Sequence, residues 1–145
     1  MKGRIVKLGG IAVATAIGFA TLVSVVQAQG DVIKDRQELM KSQGAAMKAI
    51  NGILEANGPL ADIAPQAAKL EETSAKIADL FPAGSDQGDT KAKPEIWQNP
   101  DDFAAKAKDL HEQAAMLSTA VAGGDMAAVK AQYEKVGGAC GGCHK

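Results

Sequence analysis

Apolar residues recur along this chain at steps of three and four, the spacing of amphipathic helices. The first stripe is Ile33, Met40, Met47 and Leu54, at steps of seven, flanked by Leu39, Ile50 and Ile53. It predicts a helix over Val32 to Ala56. Asn57-Gly58-Pro59 should stop it, because glycine terminates helices well and proline cannot continue the ladder. Gly44 and Gly52 interrupt this stretch, each at a cost of about 1 kcal/mol against alanine, which points to close packing or a close-lying ligand. A second stripe, Ile63, Ala67, Leu70, Ser74, Ile77 and Phe81, predicts a helix that ends at Pro82. The following loop, residues 82–100, is long for a compact domain. It contains the only tryptophan, Trp97, expected on the core rim. Asn99 then suits an N-cap, Pro100 the first helical position, and Asp101 and Asp102 the positive end of the helix dipole. Phe103, Ala107, Leu110, Ala114, Leu117 and Val121 form the third stripe, closed by Gly123-Gly124. Asp125 caps a fourth helix with Met126, Val129, Tyr133, Val136 and Cys140 on one face. Alternating β-branched runs are lacking. Four helices with two short links predict an all-α antiparallel four-helix bundle, and the heptad steps fit its shallow crossing angle.

The first 28 of the 145 residues break this pattern. Lys2, Arg4 and Lys7 precede an almost wholly apolar run from Leu8 to Val26, and Val26-Gln27-Ala28 resembles a cleavage site. This reads as a secretory signal peptide over 1–28, followed by one domain over 29–145. The run is also about long enough for a bilayer-spanning anchor, but the cleavage-like site and the polar Gln29-Gly30 favour removal. Without the segment, 16 − 3 = 13 basic residues face 17 acidic ones, a formal charge of −4. Nothing basic is clustered, which argues against a nucleic-acid partner. Aromatic residues make up only 3 % of the chain, so the bundle centre needs another filler, and a cofactor is one candidate.

Export changes the meaning of the two cysteines, since paired thiols in an oxidising compartment ordinarily form a disulfide. Both lie in Cys140-Gly-Gly-Cys143-His144. Residues three and four apart share a helix face, which sets both thiols and the imidazole toward the bundle seam. Two thiols can add to the vinyl groups of a haem, and the adjacent histidine can present a ring nitrogen to its iron. A zinc site would have to recruit His111 and bend Cys143 and His144 onto one metal. A thioredoxin-like pair needs a βαβ context that is lacking. A plain disulfide would leave His144 without a role. One covalent haem c is therefore the expected cofactor. Gly141 and Gly142 leave room for the macrocycle edge.

These features resemble the class II c-type cytochromes, the cytochrome c′ superfamily, in which the C-x-x-C-H motif closes a four-helix chain. Asp35-Arg36-Gln37-Glu38-Leu39-Met40-Lys41 is similar to the family's first-helix segment. Phe81-Pro82-x-Gly84-Ser85 and Lys93-Pro94-x-x-Trp97, with Phe103 after them, are similar to its loop and third-helix entry. The resemblance covers Asp31 to Lys145 and implies His144 as the proximal axial ligand. It implies Met40, four residues after Arg36, as the distal ligand of a low-spin branch. Met40 also lies on the apolar stripe, where methionine commonly fills cores, and Met47 and Met126 are its rivals. The resemblance gives Arg36 a haem propionate contact, against a solvated or ion-paired surface position. His111 falls off the third stripe and reads as a surface residue. The family's chains usually continue for several residues past the histidine, often with a basic residue near the proximal face; Lys145 stands there in this sequence.

The expected function is a periplasmic monohaem one-electron carrier that meets redox partner proteins, as a monomer or homodimer. No nucleophile, base or oxyanion constellation suggests an enzyme with a small-molecule substrate, and no distal acid–base residue suggests a peroxidase. The alternative is a five-coordinate, high-spin cytochrome c′ that binds nitric oxide or carbon monoxide, which requires Met40 to be off the iron.

Overall fold

The computed structural model describes residues 20–144, with side chains described from Asp31 onward. The first 19 residues of the expected signal segment lie outside the described residues. The chain forms α1 (Ala20–Glu55), α2 (Leu60–Ser74), a 3₁₀ turn (Ala78–Leu80), the short α3 (Glu95–Gln98), α4 (Pro100–Gly123) and α5 (Met126–Cys143). The four long helices make the expected four-helix bundle, and no strand occurs among the described residues. No helix among them is long and apolar enough to cross a membrane.

The first helix begins at Ala20, twelve residues before the expected Val32. Gly30 alone is too weak a breaker to separate the two segments. The helix ends as the sequence predicts, by a left-handed cap. Asn57 takes φ 49°, its N–H donates to Leu54 O at 3.2 Å, and the Gly58 N–H reaches Ile53 O at 2.8 Å. The buried positions are Ile33, Arg36, Gln43, Ala46, Ile50 and Leu54, while Met40 and Met47 are partly buried. A straight helix drifts against a seven-residue repeat, so the strict heptad misses part of the buried face, including two polar residues. Gly44 and Gly52 are exposed, and a Cβ on either would meet nothing within 4 Å. The expected close packing at these glycines is not there, and neither lines the cavity described below.

The second helix ends at Ser74, well before Pro82. Its last hydroxyls turn back on the ladder: Thr73 Oγ1 donates to Lys69 O at 2.7 Å and Ser74 Oγ to Glu71 O at 3.0 Å. The next amides tighten to three-residue spacing, Lys76 N–H to Thr73 O and Ile77 N–H to Ser74 O. Ile77 stays buried and Phe81 packs against the core even so. Asn99 stands at the start of α4 but does not cap it with its side chain. Its Nδ2 donates to Glu95 O at 3.3 Å, because the residue also closes α3. Asp125 does cap α5, accepting from the N–H groups of Ala127 and Ala128 at 2.9 and 3.4 Å, a contact worth about 1 kcal/mol. Gly124, at φ 77°, makes the reversal before it.

The closely packed pairs are α1–α2, α2–α4 and α4–α5. Ile50, Ile63, Leu117, Val129 and Val136 are its largest fully buried apolar side chains. Between α4 and α5, buried Gln132 donates to Gln113 O and Oε1 at 3.0 and 2.9 Å. The α1–α5 pair is not among the close ones. Tyr133 Oη bridges it by donating to Met47 O at 3.1 Å, and the space beyond, toward the C-terminal end of α5, opens into a cavity.

Candidate haem site

The long connection between α2 and α4 wraps around one side chain. Arg36 is 3 % exposed, neither solvated nor ion-paired. Its Nη2 donates to Ser85 O at 2.6 Å and Thr90 Oγ1 at 3.0 Å, and its Nη1 to Ser85 Oγ at 3.1 Å and Leu80 O at 3.4 Å. The guanidinium also lies 4.7 Å from the ring centre of Phe81 and 5.7 Å from that of Trp97. Burial pushes its pKa down, but a guanidinium stays charged in proteins. Phe81 stacks at a tilt on Phe103, 4.7 Å between centroids, and Trp97 Nε1–H donates to Pro82 O at 2.9 Å. Arg36, the 81–97 segment and the start of α4 thus form one rigid corner. Three of the five aromatics, Phe81, Trp97 and Phe103, gather there.

Beneath this corner lies a cavity of about 1050 Å³, bounded by α1, the connecting segment, α4 and the end of α5. It is at the upper end of the range for cofactor pockets. Cys140, Cys143 and His144 all line it, so the shared face expected of the motif is present. Cys140 is half-buried, Cys143 and His144 are exposed, and neither thiol is in a disulfide. Burial pushes the Cys140 thiol up, with the nearby Cys143 adding to the effect. Burial also pushes Cys143 up, against the pull of Lys106.

Met40 lines the same cavity from α1, while Met47 and Met126 do not. Arg36 lines it too, though its hydrogen bonds go to the connecting segment. His111 does not lie on the open surface as expected. It is half-buried between α4 and α2, with Nδ1 at 3.2 Å from Ser74 Oγ and 3.1 Å from Glu71 O, and it is not among the lining residues. A Cys₂His₂ zinc set is therefore not assembled, and no other metal-holding group of His, Cys, Asp or Glu occurs among the described residues.

A haem fits these residues on two counts. The cavity joins two free thiols, an imidazole and a thioether, the donor set of a c-type haem. Gly142 lines it, and a Cβ there would meet nothing within 4 Å, which leaves space at the backbone. Gln43 lines the cavity as well, but its Nε2 is shut off from it and has no hydrogen-bond partner. Sequence reasoning missed Gln43, Ser85 and Thr90. A signal for Gln43 was available, since it sits three residues after Met40 and seven after Arg36, on the face both occupy.

The comparisons with known proteins agree with this geometry. The family model for cytochrome C′ matches residues 31–145. The cytochrome c′ of Rhodopseudomonas palustris is 38 % identical over 149 aligned positions, covering 99 % of this chain and 94 % of that protein. A cytochrome c-556 of Agrobacterium fabrum is 39 % identical, covering 83 % of this chain and 82 % of its own. Among solved structures, the cytochrome c′ of Thermochromatium tepidum superposes with a TM-score of 0.76 at 30 % identity, covering 80 % of this chain and 92 % of its own. Cytochromes c′ of this family bind one covalent haem c, and Cys140 and Cys143 fit its C-x-x-C-H attachment motif. The comparisons do not show a methionine-ligated branch. Taken alone, they favour the open-iron alternative, since the solved relatives are cytochromes c′ and include complexes with nitric oxide. The family model spans residues 31–145 and the Rhodopseudomonas palustris relative aligns along nearly the whole chain, and the chain belongs to the cytochrome c′ family.

Proposed function

We propose that this protein is a periplasmic one-electron carrier whose haem is held through Cys140 and Cys143, with His144 and Met40 as axial ligands. The observation that carries the reading is the lining of the cavity: Met40 is its only methionine, and it enters from α1 while His144 enters from α5. When bound, a haem with one imidazole and one thioether ligand supplies an Fe³⁺/Fe²⁺ couple at raised potential. The chain does the rest. Cys140 and Cys143 fix the group to α5, Met40 closes the α1 side against small ligands, and Phe81 and Phe103 exclude water from one wall. The Arg36 guanidinium adds a fixed positive charge in the buried wall, with its four hydrogen bonds to Leu80, Ser85 and Thr90. The partners on this reading are other redox proteins, and no substrate is transformed.

The test is spectroscopic. In the haem-loaded wild type, a low-spin spectrum with a weak sulfur-to-iron charge-transfer band is expected, and Met40→Ala should abolish the band and turn the iron high-spin. A high-spin wild type unchanged by the substitution would instead support the second reading, binding of nitric oxide or carbon monoxide, which the solved relatives favour. Carbon monoxide should then bind the reduced wild type fast and tightly.

Export is part of the same proposal. The intact mass of protein recovered from the periplasm is expected to correspond to a chain starting near Gln29 plus one haem. A mass retaining residues 1–28 would make that segment an anchor.

A further inference from the structure

Arg36 brings a full positive charge into the wall of the cavity without bringing a carboxylate with it. Its acceptors are the carbonyls of Leu80 and Ser85 and the hydroxyls of Ser85 and Thr90, all neutral. None of the ion pairs among the described residues includes it. Taking an ion out of water is expensive, and a buried charge is ordinarily met by an opposite one. The faces of Phe81 and Trp97 and the four neutral acceptors offset part of that cost. They do not cancel the charge.

How can that charge act on what the cavity holds? A guanidinium has five N–H donors. The protein's own acceptors take four of them, so contact is largely used up and the field remains. Over the roughly 10 Å that a cavity of about 1050 Å³ spans, and at an effective dielectric constant of about 20, one unit charge shifts a one-electron equilibrium about tenfold. The other basic lining residues act less strongly. Lys41, Lys91 and Lys106 are exposed, and Lys106 is paired with Asp102. Salt screens charges in water far more than buried ones.

We propose that Arg36 sets the reduction potential of the haem site: its buried charge acts across the cavity and favours the ferrous state. The step is Fe³⁺ plus one electron from a partner protein, giving Fe²⁺, so the site loses one unit of positive charge on reduction. A fixed cation in the wall repels the ferric charge more than the ferrous one, and the equilibrium moves toward the reduced form. The connecting segment is then more than a cover. Through Ser85 and Thr90 it holds the guanidinium with neutral acceptors and so keeps the charge uncancelled. This rests on the reading above in one respect, that the haem in this cavity exchanges electrons, and it needs no particular sixth ligand.

The experiment is a spectroelectrochemical titration of the haem-loaded protein. In Arg36→Gln the ferrous-to-ferric ratio at a fixed applied potential should fall about tenfold, a midpoint about 59 mV lower for one electron. The fall should be the same at about 0.01 M and about 1 M salt, as a buried charge requires. Lys41→Gln and Lys91→Gln, at exposed lining positions, should give smaller falls that fade at the higher salt. Arg36→Lys, at mildly acidic pH, should return most of the ratio although the corner stays weakened, which a merely structural arginine would not do. An unchanged ratio in Arg36→Gln overturns the proposal, and so does a fall that Arg36→Lys leaves uncorrected. Thr90→Asp decides the matter if Arg36→Gln loads haem poorly. Thr90 Oγ1 accepts from Arg36 Nη2 at 3.0 Å and from the Ala92 N–H at 3.1 Å, and an aspartate can accept both while adding the missing counter-charge. A comparable fall is expected there, and an unchanged ratio overturns the proposal. The Met40 assignment is judged separately, by the spectra. A high-spin wild type removes Met40 from the iron but leaves the Arg36 comparison intact.

Discussion

Replacing Arg36 by alanine is expected to destabilise the haem-loaded protein by about 4 kcal/mol, near the top of what single substitutions do. The side chain is almost fully buried and makes four hydrogen bonds to Leu80, Ser85 and Thr90. Each hydrogen bond to a charged group is worth about 1.5–3 kcal/mol, and acceptors left dry carry their own desolvation penalty. Two aromatic faces lose a cation as well. At roughly 4 °C per kcal/mol for a domain of this size, the unfolding midpoint should fall by about 15 °C. Limited proteolysis should find new cuts in the segment from Ala83 to Lys93, and Trp97 fluorescence should change before global unfolding. Arg36→Lys should recover only a part, because an ammonium cannot fork to two carbonyls and two hydroxyls as a guanidinium does. A loss below about 1 kcal/mol, with the segment still resistant, would show that the corner holds without its guanidinium.

The double substitution Cys140→Ala/Cys143→Ala should have the larger effect. The cavity is about 1050 Å³. At about 24 cal/mol per Å³, leaving only a third of it empty costs about 8 kcal/mol, comparable with the whole net stability of a domain. Water can relieve part of this near the mouth, where lysines and acids line the rim, but not along the wall of Phe81, Phe103 and Leu110. Helical circular dichroism should persist in part, because the α2–α4 and α4–α5 contacts lie mainly elsewhere, but the cooperative thermal transition should be lost. A haem-stained denaturing gel should show no attached haem. Cys143→Ala alone should keep one thioether and a cooperative transition. A double variant that melts as sharply as the wild type would show that the bundle closes without its prosthetic group.

The architecture was legible because it rests on apolar periodicity. The buried residues of α4, Ala107, Leu110, Ala114, Leu117 and Val121, are all on the stripe read from the sequence. The motif at Cys140, Cys143 and His144 was legible because covalent attachment fixes residue type and spacing together. What failed had local or long-range causes. The early end of α2 follows from hydroxyls bonding back to carbonyls, a competition that apolar spacing does not register. The N-cap rule placed Asn99 correctly but not its side chain, which a neighbouring helix end claimed first. Arg36 and Gln43 were hardest, because a buried polar residue is recognised by its partners. Those of Arg36 are 44 to 54 residues away in sequence, and Gln43 Nε2 has none among the described residues.

The gap between α1 and α5 has a consequence for the order in which the molecule is made. Every closely packed helix pair joins neighbours in the sequence of long helices, so those contacts have low contact order and should form early. The one seam that must be closed across the length of the chain is left wide at the cysteine end. On the proposed reading, a haem tethered at Cys140 and Cys143 and facing Met40 would span that seam. The prosthetic group would then take the place of the longest-range contact in the topology, and maturation would be the last folding step.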